Sequence, residues 1–204
     1  MIRNIILDVG GVLIDWTPEE TMRAVGCTPE DIALIRTRIF DTDLWAEEDR
    51  SVLSREELTE LFCSRVPEIA DKFRVYYEHA ADSVKLRPFV HDWLDAMHRA
   101  GYRVYILSNF GRQAWHKAID MGAIDFLDRT DGQIVSFMVG KVKPEPGIYS
   151  ELLTRFSLRA EECVFLDDAE KNIRAARELG FSVIHFTGYD DAVQKLAALG
   201  VSLQ

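Results

Sequence analysis

The stretch ECVFLDDAEKNIRAARELGFSVIHF, residues 162–186, changes its structural period twice. Val164, Phe165 and Leu166 form a short apolar run that reads as a buried strand, and the acidic pair Asp167 and Asp168 stops it. EKNIRAARELG then reads as a helix closed by Gly180, and FSVIHF returns to strand character. A strand joined to a second strand through a helix is a crossover, and crossovers make parallel sheets. The same alternation runs backwards to about residue 83: RPFVHDWLDAMHRAG is helix-like and ends at Gly101, YRVYILSN is a strand, and GRQAWHKAIDMG is a second helix. Between Ile124 and Val139 the pattern thins, with one short strand expected around Gln133 to Phe137.

The chain opens on a further strand, IILDVGGVLIDW at residues 5–16, in which an apolar run ends at Asp8 and two glycines permit a sharp turn. Residues 17–82 have a different character, because helix signals follow one another without strands between them. Thr17-Pro18 and Thr28-Pro29 are helix starts, Ser54 with Glu57 forms a capping box, and Ile32, Ile35 and Ile39 recur at helical spacing. The expected fold class is therefore α/β, a doubly wound parallel sheet with an inserted helical cap. Residues 1–14 and 83–204 make the core domain and residues 15–82 the cap.

At 204 residues the chain can bury a sizeable core, and a formal net charge of −10 disfavours nucleic-acid partners. Three scattered cysteines, Cys27, Cys63 and Cys163, lack metal spacing and read as small core residues in a reducing compartment. The first apolar run is too short for a signal peptide, and no stretch has membrane-spanning length, so a cytoplasmic protein without membrane partners is expected. Oligomeric state is unread. The five histidines, His79, His91, His98, His116 and His185, show no paired acid along the sequence and default to structural positions.

Open parallel sheets bind ligands beyond the carboxyl ends of their strands. Asp8, the pair Ser108 and Asn109, and the pair Asp167 and Asp168 all fall at such ends, and GKVKPEPGIY adds Lys143 immediately before Pro144. Each has a bland reading as turn, helix cap or surface loop. Taken in order, LDVGGVL, LSN, GKVKPEPGIY and VFLDDAEKNIRAARELG resemble the haloacid dehalogenase superfamily, in its phosphatase branch with a helical cap after the first strand. The resemblance spans essentially the whole chain. It implies transfer of a phosphoryl group from a small-molecule phosphate ester to Asp8, followed by hydrolysis of the aspartyl phosphate. It further implies Mg²⁺ held by Asp8, the Gly10 carbonyl and Asp168, with Asp167 acting through a metal-bound water. Lys143 would serve as the cation beside the phosphoryl group, Ser108 and Asn109 as phosphate donors, and Asn172 as a support for the acidic loop. The chemistry is coherent: a carboxylate approaching a phosphate needs its charge neutralised, and Mg²⁺ with lysine does this.

One position departs from the pattern. Most phosphatases of this superfamily carry a second aspartate two residues after the nucleophile, and here that residue is Gly10. General acid-base assistance is worth about 10²–10⁴ in rate, so a replacement or an activated substrate is required. Members similar to sugar-phosphate phosphatases share Asp-x-Gly, which suggests a small sugar phosphate, and Asp15 is a candidate replacement acid. Trp45, Phe40, Arg36 and Arg38 are candidates for the substrate entrance. The alternatives are a 2-haloacid dehalogenase, against which the repelling pair Asp167 and Asp168 argues, and a non-catalytic phosphate-binding module.

Overall fold

In the computed structural model, which describes residues 1–203, β1 (Asn4–Leu7) turns through the two glycines into β2 (Ile14–Trp16). The helical block is α1 (Pro18–Ala24), α2 (Pro29–Ile35), α3 (Ala46–Arg50), α4 (Arg55–Cys63) and α5 (Ala70–Glu78). The chain returns through β3 (Val84–Leu86), α6 (Val90–Arg99), β4 (Arg103–Ser108), α7 (Arg112–Asp120), β5 (Gly132–Val135), α8 (Ser136–Val139) and α9 (Pro146–Arg155). It ends with β6 (Cys163–Asp167), α10 (Glu170–Glu178), β7 (Ser182–His185) and α11 (Tyr189–Ala198).

Five strands form one parallel sheet in the order β5-β4-β1-β6-β7, so the first strand of the chain lies at its centre. Alternate residues serve opposite faces. Ile5, Leu7, Val104, Ile106, Val164 and Leu166 pack with Trp93, Met97 and Trp115, whereas Ile6, Tyr105, Leu107 and Phe165 pack with Tyr149, Leu152 and Ile173. Burial on both faces is why these strands read as continuous apolar runs rather than as alternating ones.

The helical block has a core of its own, in which Ile32, Ile35 and Ile39 meet Phe62, Phe73 and Tyr76. β2 and β3 pair antiparallel, with Ile14 opposite Leu86 and Trp16 opposite Val84, so the block hangs from the sheet on a two-stranded stem. The capping boxes at Thr28 with Asp31 and at Ser54 with Glu57 both form. Thr17 occupies its cap position without a capping hydrogen bond.

The strand expected at 133–137 is half right: β5 stops at Val135, and Ser136 begins a short helix that ends at Gly140 in the left-handed conformation. Neither α9 nor α11 is anticipated by the sequence reading, because the charged GKVKPEPGIY segment masks a helix that starts with Pro146 at its first turn. Carboxylates meet four histidines, contrary to the unpaired reading: His91 with Asp125 at 2.7 Å, His98 with Asp131 at 3.1 Å and His185 with Glu170 at 3.6 Å across distant segments, and His79 with Asp82, three residues on, at 2.7 Å. Cys27, Cys63 and Cys163 are buried and free, and among the described residues no helix is long and apolar enough to cross a membrane.

Candidate active site

β1 lies between β4 and β6, and the registers Leu7 to Ile106 and Leu7 to Leu166 bring Asp8, Ser108 and Asp167 to one edge of the sheet. The Asp8 amide continues the ladder by donating to the Leu166 carbonyl at 3.0 Å. Lys143 arrives from the loop between α8 and α9 and is held by a two-point clamp. Its amide donates to Asn109 Oδ1 at 2.7 Å, and Asn109 Nδ2 donates to its carbonyl at 3.0 Å. The Asn109 side chain is thereby fully occupied in positioning Lys143.

The fully enclosed Lys143 side chain places Nζ 2.8 Å from Asp8 Oδ2 and 2.7 Å from Asp167 Oδ2. Asp167 is saturated: Asn172 Nδ2 donates to its two oxygens at 2.9 and 3.1 Å, and the Ala169 amide donates to Oδ1 at 2.8 Å. Its geometry suits it to fixing the lysine. Asp168 is exposed at the entrance to α10, with its carbonyl accepting from His185 Nε2 at 2.8 Å. Its carboxylate lies against Gly11, which has φ +71°, and a Cβ there would sit 2.2 Å from Asp168 Oδ2. Ser108 is buried at the strand end, where its hydroxyl meets only the Asn109 carbonyl at 3.5 Å.

Burial, reinforced by the charges of Asp167 and Asp168 and opposed by Lys143, pushes the Asp8 carboxyl up to about 8. Burial would lower Lys143, but Asp167 and Asp8 outweigh it and hold the ammonium above its usual range. Although Asp168 is exposed as a residue, partial desolvation of its carboxyl and then the Asp167 charge likewise raise it. Three carboxylates thus face one ammonium. Oxygens from Asp8, Asp167 and Asp168 lie within 4.8 Å of one another, an all-oxygen set suited to a hard divalent cation that would cancel the remaining charge. The residues fit Mg²⁺.

A cleft of about 230 Å³ runs from Gly10 between the helical block and the sheet edge. Ile14, Trp16, Trp45, Tyr77, Val84 and Phe110 line it, along with Glu48, Asp49, Arg55 and Lys117. Most of these polar groups are engaged: Tyr77 donates its hydroxyl to Glu48, Arg55 to the Tyr77 carbonyl at 3.0 Å, and Lys117 pairs with Asp82. Of the cap residues singled out by sequence, Trp45 reaches the cleft, with Phe40 behind it at 4.7 Å between ring centroids. Arg36 and Arg38 instead pair with Glu19 and Glu68 on the outer face. Asp15 is tied to Arg87 at 2.8 Å on the stem. Glu48, Asp49, Arg55 and Lys117 carry no motif and sit among ordinary charged helix residues, so the sequence offers no signal for them.

A parallel core bearing an acidic and lysine cluster at its carboxyl edge, capped by an inserted helical block, defines a capped enzyme of the doubly wound α/β class. The family model described as haloacid dehalogenase-like hydrolase matches residues 2–180, and the chain belongs to that family. It is similar to the D-ribitol-5-phosphate phosphatase of Bacteroides thetaiotaomicron, 25% identical over 98% of both chains. It is 26% identical over 96% of its length to the drimenol cyclase of Aspergillus calidoustus, of which it spans 36%. Among solved structures, a haloacid dehalogenase family enzyme of B. thetaiotaomicron in complex with magnesium and inorganic phosphate superposes with a TM-score of 0.68. That match has 22% identity and covers 90% of this chain and 93% of the other.

Proposed function

We propose that the protein is a Mg²⁺-dependent phosphomonoesterase that works through an aspartyl phosphate on Asp8. The observation that carries this reading is the buried Asp8 carboxylate held 2.8 Å from Lys143 and beside two further acids, with Gly10, two residues on, lining a cleft. Asp8, Asp168 and the Gly10 carbonyl would hold the metal, with Asp167 reaching it through water; when bound, it neutralises charge on the phosphoryl oxygens. Asp8 attacks phosphorus in line with the leaving oxygen. Lys143 balances charge on both Asp8 and the transferring group, and its clamp to Asn109 keeps it aimed there. The Ser108 hydroxyl and the Asn109 backbone amide complete the phosphate seat.

The substrate is a small phosphate ester, and a sugar phosphate follows from the Asp-x-Gly pattern. A second reading rests on the cleft itself. Its walls are mainly apolar and aromatic, and Glu48, Arg55 and Lys117 are already engaged with protein partners, leaving few groups for sugar hydroxyls. An apolar leaving group fits that lining better. The three buried, unpaired thiols support a reducing, cytoplasmic setting.

The test is phosphate release from anomeric sugar, alkyl and aromatic monophosphates, with Mg²⁺ and with a chelator, using Asp8→Asn as the blank. Mg²⁺-dependent release absent from the variant is the expected result. Metal-independent halide release from a 2-haloacid would establish the dehalogenase reading instead, and equal background rates in both proteins would leave a binding module.

A further inference from the structure

We propose that Asp49, carried by the helical cap, is the proton donor to the leaving group and performs the task for which Gly10 has no side chain. The inference rests on the phosphomonoesterase reading. Asp49 and Gly10 line the same cleft, and a Cβ built on Gly10 meets nothing within 4 Å, so the place of the usual acid is open space facing the cap.

Two other acids near this end of the cleft are committed, and Glu78, which also lines it, is exposed to solvent at the end of α5. Glu48 accepts the Tyr77 hydroxyl, and Asp15 is paired with Arg87. Among the described residues, the Asp49 carboxylate has neither an ion-pair nor a hydrogen-bond partner. Its backbone, by contrast, is pinned to the core. Ser136 Oγ donates to the Asp49 carbonyl at 2.6 Å, the Arg112 amide donates to Ser51 Oγ at 2.9 Å, and Arg50 pairs with Glu145 at 2.5 Å. A fixed backbone with an uncommitted carboxyl opening into the substrate cleft is what a proton donor requires.

The charged groups that act on this carboxyl are Glu48, Arg50, Lys143 and Lys171. Burial and then Glu48 raise it, the three cations lower it, and the balance lies at about 7, so it can both hold and release a proton near neutrality. In the forward step Asp8 forms a bond to phosphorus while the bond from phosphorus to the ester oxygen breaks. The electron pair stays on that oxygen, which takes the Asp49 proton and leaves as the alcohol. In the second step the Asp49 carboxylate removes a proton from water as the water oxygen bonds to phosphorus. The acyl-phosphate bond to Asp8 breaks, inorganic phosphate departs, and Asp49 is again protonated.

The experiment compares wild type, Asp49→Asn, and Asp49→Asn combined with Gly10→Asp in the presence of Mg²⁺. One substrate is a simple alkyl phosphate, whose leaving group needs a proton; the other is 4-nitrophenyl phosphate, whose leaving group does not. Asp49→Asn should lower kcat/KM for the alkyl ester about 10²–10⁴-fold while slowing the first-turnover burst of nitrophenolate less than about threefold. The burst amplitude counts intact sites, so misfolding registers as lost amplitude. Gly10→Asp should restore at least about tenfold of the lost alkyl activity. The wild-type alkyl rate should fall above pH of about 7 and that of Asp49→Asn should not. Equal losses on both substrates, or none on either, would overturn the assignment. Absence of any Mg²⁺-dependent nitrophenolate release that Asp8→Asn abolishes would overturn the phosphomonoesterase reading, and this inference with it.

Discussion

Two adjacent glycines should respond oppositely to the same substitution. Gly11 has φ +71°, and an added Cβ would lie 2.2 Å from Asp168 Oδ2 and 2.5 Å from its carboxyl carbon. An L-residue in the left-handed region costs about 1–2 kcal/mol by itself. Ordinary contact also requires Asp168 to retreat by roughly 1 Å, away from the neighbouring Asp8 and Asp167 oxygens. Displacing a group that shapes a metal site costs about 10–100-fold in affinity, the magnitude expected for Mg²⁺ in Gly11→Ala. Gly10 has neither obstacle, since its φ is not left-handed and its Cβ position is empty. Gly10→Ala should keep Mg²⁺ affinity and gain about 0.4–1 kcal/mol by restricting the unfolded chain. Calorimetric Mg²⁺ titration and urea unfolding in a chelator measure the two quantities separately. If Gly11→Ala binds Mg²⁺ like wild type, Asp168 is not a ligand that depends on this approach. If Gly10→Ala loses as much affinity as Gly11→Ala, the steric argument fails.

Lys143→Met should leave Asp8 and Asp167 facing each other without a cation, at a cost of about 3–5 kcal/mol. The raised Asp8 carboxyl takes up a proton as pH falls through about 8, so the loss in urea midpoint should be larger at pH 9 than at pH 6. Asp49→Asn should stabilise the protein in a pH-dependent manner. Asp49 titrates near 3.8 when unfolded and at about 7 when folded, so the wild type loses stability from this group as pH rises between those values. The variant's melting temperature should match wild type near the lower value and exceed it increasingly up to the higher one; a constant offset would contradict the burial of Asp49. Trp45→Ala removes a cleft wall that stacks on Trp16 at 5.9 Å and Phe62 at 5.4 Å. It should raise KM for an aromatic monophosphate by about tenfold, the scale of one aromatic contact, and leave inhibition by inorganic phosphate nearly unchanged.

The doubly wound sheet is legible in sequence because its strands are buried on both faces and its crossovers carry their own stop signals, as at Gly101 and Gly180. The edge-of-sheet cluster is legible for a related reason: a parallel sheet gives each strand one functional end, so Asp8, Ser108 and Asp167 can meet wherever they fall in the chain. Lys143 follows only through its motif, since nothing local announces that Asn109 will clamp its backbone.

The cap resists such reading because its contribution depends on how one rigid unit sits on another. Asp49 belongs to the run Glu47-Glu48-Asp49-Arg50, indistinguishable in composition from a solvated helix face. Its distinction comes from contacts distant in sequence: Ser136 holding its carbonyl and Tyr77 engaging its neighbour Glu48. The gap at Gly10 is therefore half a signal. It marks where a proton-transfer group is missing from the strand. On the proposed reading the group comes from a part of the chain that the stem of β2 and β3 carries over the site, and the docked cap is what singles out Asp49.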